Sequence, residues 1–139
     1  MAERDLGRLL RTLTTVRRDG VWRFESLPHD QASWADLISL RSAGDIAMLF
    51  MEAEGATVIL KADAETPVDN RWVWLELSVY SDLNAIGFLA KVAEALASAG
   101  VPCNAVAAVH HDHIFVPEGK ADTAIRALDA LASEYRHGL

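Results

Sequence analysis

Residues Arg71–Tyr80 read RWVWLELSVY, and this stretch decides the fold of the chain. Every second side chain from Val73 to Val79 is aliphatic, whereas Trp72 and Trp74 fall on the opposite face. Because successive side chains of a strand point to opposite faces, the alternation predicts a β-strand with one face in a core. An exposed pair of tryptophans is costly, so the opposite face is predicted to pack on the first half of the chain or on another chain.

The segment after this strand, SDLNAIG, predicts the start of a helix. Ser81 and Asp82 are residue types that accept hydrogen bonds from the free N–H groups at a helix N-terminus. Apolar residues then recur at helical spacing, which predicts a helix over Ala85–Ala99. Gly100 is expected to end it, since glycine readily takes the left-handed conformation that follows many helices.

A hairpin and a second helix complete the C-terminal half. Strands are predicted over Val101–Val109 and His113–Pro117, and a helix over Lys120–Tyr135. The turn of the hairpin would then contain His110, His111 and Asp112. The order strand, helix, strand, strand, helix is most of a ferredoxin-like α+β unit, in which two helices cover one face of an antiparallel sheet. Its closing strand has to come from the first half of the chain or from a neighbouring chain.

The first half carries a weaker version of the same plan. Its predicted elements, in chain order, are a short helix over Leu6–Leu13, a strand over Val21–Pro28, a helix capped by Ser33, and a hairpin over Ile46–Leu60. Lys61-Ala62-Asp63 is expected to open a helix, as Lys120-Ala121-Asp122 does in the second half. We therefore predict two tandem units, residues 1–66 and residues 67–139, with ETPVDN as the linker between them.

Composition narrows the class of protein. The chain has 139 residues, of which 51% are hydrophobic, enough for a buried core, and its formal net charge is −7. Such an acidic chain is not expected to bind nucleic acid, which relies on clustered lysine and arginine. Cys103 is the single cysteine, so an intramolecular disulfide and a thiolate zinc site are excluded. No secretory signal or membrane-spanning run is present, and we expect a cytoplasmic protein without membrane contact.

From Trp74 onward the chain resembles an ACT domain, a small-molecule-sensing module found on many enzymes of amino-acid biosynthesis. The resemblance is carried by the strand WLELSV, the segment SDLNAIGFLAKVAEALASAGVPCN, the hairpin AVAAVHHDHIFVP and the helix KADTAIRALDAL. In the first half, GVWRFESLP and EAEGATVIL are similar, more loosely, to the N-terminal unit of short bacterial proteins with two ACT-like units. The resemblance implies a free-standing sensor of an amino-acid-like ligand that acts through ACT–ACT interfaces, and it implies a homodimer.

The resemblance also implies a ligand site. In ACT domains the loop between the first strand and the first helix offers backbone N–H groups to a ligand carboxylate. On this chain that loop consists of Asp82, Leu83, Asn84, Ala85, Ile86 and Gly87. A helix N-terminus suits a carboxylate because its first N–H groups lack partners and carry partial positive charge. Asp82 is itself an anion, so it either caps the helix in competition with the ligand or holds the ligand amino group.

Three of the five histidines cluster with an aspartate in HHDH, residues 110–113. A metal site is one interpretation, but consecutive residues point apart, and a catalytic zinc needs three protein ligands. The resemblance implies instead that His111 and Asp112 reach the rim of the ligand site, where a carboxylate suits an amino group. A purely structural turn is the third interpretation. Asn104 either contacts the ligand through its amide or satisfies a strand edge.

The sequence contains no catalytic triad, phosphate-binding loop, paired-carboxylate site or cofactor fingerprint. We therefore predict no catalytic residues, no metal ligands and no cofactor, and a regulatory module rather than an enzyme. Its partners would be an amino-acid-like small molecule, a second copy of the chain and a regulated protein. Two alternatives stay open: a metal-dependent enzyme built on His110–His113, and a module that pairs with proteins and binds no metabolite.

Overall fold

The computed structural model describes residues 1–138, which form two compact units. One unit contains residues 1–19 and the chain from Val73 onward, and the other contains residues 20–72. The helices and strands, in chain order, are α1 Leu6–Thr12, β1 Thr15–Arg17, β2 Trp22–Leu27, α2 Gln31–Ser42, β3 Ile46–Met51, β4 Ala56–Lys61, β5 Trp72–Leu77, α3 Phe88–Ser98, β6 Asn104–Ala107, β7 Asp112–Pro117 and α4 Ala121–Arg136. Short 3-10 turns lie at Val68–Asn70 and Glu118–Lys120.

The first unit is a ferredoxin-like antiparallel sheet with the strand order β1-β5-β7-β6. In this sheet β1 pairs with β5, so that Thr15 lies opposite Leu77 and Arg17 opposite Leu75. The hairpin partners β6 and β7 pair along the other side. The closing strand that the C-terminal half lacks is therefore supplied by the first half of the chain, one of the two predicted sources.

The core of this unit lies between one face of the sheet and the helices. Val73, Leu75 and Leu77 of β5 are fully buried, which confirms the predicted alternation. The helices bury apolar side chains in the same core, among them Leu9, Leu10, Leu13, Phe88, Val92, Leu96, Ala124 and Leu128. On the opposite face of β5, the Arg18 guanidinium lies 4.3 Å from the centre of the Trp74 ring.

The compact units divide the chain elsewhere than the predicted domains, residues 1–66 and 67–139. The difference is that α1 and β1 lie in the same compact unit as the chain from Val73 onward. Leu9, Leu10 and Leu13 are buried in the same core as α3 and α4. A helix as short as α1 does not hold its shape alone, so it forms where its leucines find an apolar surface.

The second unit is a three-stranded antiparallel sheet in the order β3-β4-β2. The helix α2 covers it through Leu37, which packs with Val58 and Leu60 of β4. The predicted hairpin of this half is confirmed as β3 and β4. Trp72 packs edge-on against Phe24 with 5.5 Å between the ring centres. This tryptophan therefore packs on the first half of the chain, one of the two predicted alternatives.

Two local predictions in this unit are wrong. Asp30, rather than Ser33, caps α2, because its carboxylate accepts a hydrogen bond from the Ser33 N–H at 2.8 Å. Lys61 ends β4, and residues 62–63 follow it without opening a helix. Instead, the Asp63 carboxylate accepts hydrogen bonds from the Glu65 N–H at 3.0 Å and the Thr66 hydroxyl at 3.1 Å, which closes a turn.

Candidate functional site

The candidate site begins with the loop between β5 and α3. The helix starts at Phe88, three residues after the predicted start at Ala85. It starts late because the loop makes a turn of its own, closed by a hydrogen bond from the Ala85 N–H to the Asp82 carbonyl at 2.9 Å. Gly87 precedes α3 with a φ of 92° and offers no side-chain cap. The predicted end at Gly100 is confirmed, with a φ of 73°.

Gly87 is expected to be hard to replace. In the left-handed conformation an alanine costs about 1–2 kcal/mol, so we expect Gly87→Ala to lower the free energy of unfolding by that amount. Its added methyl carbon would meet Leu6 at 3.4 Å, an ordinary contact, so the cost comes from the backbone. Urea unfolding measures the effect. Gly119→Ala is the control, because Gly119 has neither a positive φ nor a neighbour within 4 Å; an equal loss in both variants would contradict the prediction.

Asp82 does not cap α3, so that prediction is wrong, and Ser81 does not cap it either. One oxygen of Asp82 accepts a hydrogen bond from the Asn84 N–H at 2.7 Å. The other lies 3.2 Å from Nε of Arg4 in the N-terminal segment. The Asn84 N–H and, after it, the Arg4 guanidinium hold the pKa of Asp82 below its ordinary value of 3.8. Asp82 is therefore an anion that is already engaged on both oxygens.

Asp112 does not lie in the hairpin turn, contrary to the prediction. The turn is closed by a hydrogen bond from the Ala108 N–H to the His111 carbonyl at 3.1 Å. Asp112 is the first residue of β7 and pairs with Ala107. The residue as a whole is only 7% exposed. One carboxylate oxygen accepts a hydrogen bond of 2.9 Å from the hydroxyl of Ser81, which is 6% exposed.

A cavity of about 150 Å³ lies between this hairpin and the start of α3, inside the first unit. Of the predicted site residues, its wall contains Asp82, Leu83, Ala85, Gly87 and Asp112. The wall also contains Ser81, Phe88, Leu89, Ala90 and Ala107, which were not among the predicted site residues. Gly87 is the sequence signal for Phe88, Leu89 and Ala90, because glycine is common at the position just before a helix, and these residues form the first turn of α3.

The other four predicted site residues do not line this cavity. Asn84 contributes its backbone N–H to Asp82, and Ile86 is largely exposed to solvent. Asn104 is exposed at the start of β6. His111 stacks edge-on with His113 at 6.3 Å between ring centres. A turn directs neighbouring side chains to different sides, so a contiguous stretch of sequence does not form a contiguous wall.

The first turn of α3 supplies donors to the cavity. Phe88, Leu89 and Ala90 line it. The first N–H of the helix with a partner is that of Lys91, which donates to the Gly87 carbonyl at 3.0 Å. Within residues 1–138 the N–H groups of the three preceding residues have no hydrogen-bond acceptor. The residues that carry these groups line a space that also has two carboxylate residues, Asp82 and Asp112, in its wall, and the positive end of the helix dipole lies at the same place.

The histidine cluster makes different contacts from those a metal would need. Among residues 1–138, no group of three histidine, cysteine, aspartate or glutamate side chains is placed to hold a metal ion. The Trp74 indole N–H donates to Nδ1 of His113 at 2.9 Å. Since an indole nitrogen can only donate, Nδ1 is the unprotonated nitrogen of this ring. Burial raises the pKa of the Cys103 thiol, which disfavours a nucleophilic thiolate.

Stability should depend on pH through His113. Burial is the main cause that lowers its pKa below the ordinary 6.5; His111 and Arg18 lower it further, whereas Glu76 and Asp112 oppose the shift. The unfolded chain therefore takes up this proton at a higher pH than the folded chain does. We expect the free energy of unfolding to fall as the pH falls through 6.5. Urea unfolding about one pH unit either side of that value should show a smaller fall in His113→Gln; equal falls would contradict this.

Comparisons with known proteins agree with this fold. Two models of the ACT domain match the chain, one over residues 71–130 and one over residues 1–66. No curated protein matches it. A Vibrio cholerae protein of unknown function, described as a possible transport protein, is 30% identical with a TM-score of 0.74, over 91% of this chain and 95% of that one.

Two further solved structures share the fold. An Agrobacterium tumefaciens protein is 16% identical with a TM-score of 0.65, over 86% of this chain and 89% of that one. The ligand-free regulatory subunit of aspartate kinase from Thermus thermophilus is 12% identical with a TM-score of 0.60, over 84% of this chain and 95% of that one. Within residues 1–138, no helix is long and apolar enough to cross a membrane. Tandem matches to the domain and a relative matched over most of both chains establish that this chain belongs to the ACT domain family of ligand-binding regulatory modules.

Proposed function

We propose that this chain is a regulatory module, and not an enzyme, that binds a small α-amino acid in the cavity at the start of α3. One observation carries the proposal: the cavity has a buried carboxylate, Asp112, and unpartnered N–H groups at the first turn of α3. These groups complement the ammonium and the carboxylate of an amino acid. Binding would favour one arrangement of the protein over another, which is how a ligand changes what a partner protein meets.

The ammonium of the ligand would bind Asp112. Its Oδ2 accepts the Ser81 hydroxyl at 2.9 Å, and its Oδ1 has no hydrogen bond within residues 1–138. This oxygen has no partner among the described residues and is not sealed from solvent, so it is available to a cation in the cavity. A charge-assisted N–H···O bond between an ammonium and a carboxylate is stronger than a neutral hydrogen bond.

The carboxylate of the ligand would bind the N–H groups of Phe88, Leu89 and Ala90. A helix N-terminus attracts an anion because unpartnered donors and the positive end of the dipole coincide there. Gly87 contributes no side chain that would fill this position. The proposed role of these residues thus uses backbone atoms, which any substitution that keeps the helix start would preserve.

The size and composition of the cavity favour a small ligand. Its volume is about 150 Å³. This space has room for several water molecules, which suits a small amino acid better than a nucleotide. The lining residues include no lysine, arginine or histidine. A ligand with a second carboxylate would therefore find no partner for it.

A thermal-shift screen of the purified chain against the common amino acids tests the proposal. A ligand at about 100 times its dissociation constant adds about 2.7 kcal/mol of stability, which is a rise of several degrees in Tm. The matched controls are the amide of each amino acid, which lacks the carboxylate, and the N-acetyl derivative, which lacks the ammonium. The proposal requires a rise that depends on both charged ends. Equal rises with the controls, or no rise with any amino acid, would contradict it.

The edge strand β3 favours a second function, pairing with another copy of the chain. Within the described residues, β3 is the last strand of the sheet in the second unit and carries no charged residue and no proline. Three of its side chains are strongly exposed: Leu49, Phe50 and Met51. Open strand edges invite pairing, and monomers usually protect them with charges. An antiparallel pair of β3 strands from two copies would form a symmetric homodimer.

Phe50→Lys should weaken such a dimer about tenfold or more, because it places a charge at a sheet edge that another chain must cover. Sedimentation velocity over a range of concentrations measures the effect. Val68→Lys is the control, since Val68 is exposed in the same unit but lies outside the strands. A monomeric wild type, or a dimer that Phe50→Lys leaves intact, would contradict pairing through β3.

A further inference from the structure

We propose that Arg4 sets the charge specificity of the cavity by neutralising Asp82 beside the N-terminus of α3. The inference rests on the proposed function, because it concerns the carboxylate end of the same amino-acid ligand. Arg4 lies outside both the loop and the hairpin that contain the predicted site residues. It would be a positioning residue that acts through Asp82, since it does not itself line the cavity.

Backbone pairing holds Arg4 at this place. The Glu3 N–H donates to the Tyr80 carbonyl at 2.8 Å, and the Asp82 N–H donates to the Glu3 carbonyl at 2.8 Å. Glu3 and Ser81 thus form a short parallel bridge beside the end of β5. Arg4 follows directly, with its Nε 3.2 Å from Oδ2 of Asp82. The fold therefore brings a cation from the start of the chain to the rim of the loop.

The Arg4 cation allows the cavity to bind a ligand carboxylate close to Asp82. Asp82 lines the same wall as Phe88 and Leu89, whose N–H groups would receive that carboxylate. Two carboxylates a few ångströms apart repel, and in surroundings between water and protein this repulsion changes an affinity roughly tenfold. The Arg4 guanidinium offsets the Asp82 charge, so the site accepts a zwitterion. Without Arg4, the wall would hold two uncompensated carboxylates and would favour a plain cation.

Ratios of affinity separate this role from a structural one. The probes are L-alanine with L-alaninamide and L-serine with L-serinamide, measured by isothermal titration calorimetry on the full chain at low salt. Wild type is expected to prefer each amino acid over its amide. In Arg4→Gln that preference should fall roughly tenfold, and the double variant Arg4→Gln with Asp82→Asn should restore it. The Arg4 side chain is 66% exposed, so its truncation leaves no void in the core.

Arg8→Gln is the matched control, because Arg8 also forms an ion pair in the N-terminal segment, at 3.5 Å to Glu3, but does not contact Asp82. The Arg8→Gln variant should prefer the amino acid over its amide by the same ratio as wild type. An Arg4→Gln variant that weakens amino acid and amide equally would show that Arg4 only holds the segment in place, and would overturn the inference. Unchanged affinities for both amino acid and amide would overturn it too. If wild type binds none of the four probes, the proposed function fails first, and the inference with it.

Discussion

Asp112→Asn should lower the affinity for the amino acid that the thermal-shift screen identifies by about a hundredfold, while the chain stays folded. Asparagine keeps the shape of the side chain and its hydrogen-bond partner Ser81, at 2.9 Å in wild type. It removes the negative charge that would face the ligand ammonium. Because the wild-type residue is only 7% exposed, solvent screens this charge weakly. Calorimetric titration measures the affinity, and urea unfolding checks that stability has not changed with it.

Asn104→Ala is the matched control for this prediction. Both residues were candidates from the sequence, but Asn104 does not line the cavity and is exposed at the start of β6. Its truncation should leave the affinity within about twofold of wild type, as is usual for exposed positions. Loss of affinity in Asn104→Ala together with unchanged binding in Asp112→Asn would move the site away from this cavity and towards the outer side of the hairpin.

The contrast between Asp112 and its neighbours explains how far the sequence could predict the site. Residue types indicated the loop and the hairpin, because glycine, aspartate and asparagine have known turn and cap chemistry. Which side chains face inward depends on where the turn begins, and that differed by one residue at Asp112. Arg4 could not be identified at all, since its contact with Asp82 joins distant parts of the chain.

The helices and strands were predictable where residue types or spacing form a local pattern. The alternation in β5 and the helical spacing in α3 and α4 are local patterns, and the structure confirms these elements within a few residues. The place of α1 is not a local property. Its leucines indicate a helix with an apolar face, but nothing in the sequence names the surface that this face covers. In the structure that surface belongs to the core of α3 and α4, which lies far along the chain.

Leu10→Ala should lower the free energy of unfolding by about 3 kcal/mol, the largest effect on stability that we expect from a single substitution in α1. Leu10 is fully buried in the core of the first unit. The substitution removes three carbon atoms of the leucine side chain, so the site loses apolar burial and a void is left in the core. Urea unfolding measures the loss. Ile38→Ala is the control, because Ile38 is 68% exposed on α2 and its truncation should cost less than about 0.5 kcal/mol.

The same variant tests which unit α1 belongs to. If α1 is part of the first unit, Leu10→Ala should speed amide hydrogen exchange in α3 and α4, whose buried side chains Val92, Leu96 and Leu128 share a core with Leu10. Peptides from residues 20–72 should change less. Faster exchange confined to residues 20–72 would contradict a stabilising role of α1 in the core of the first unit.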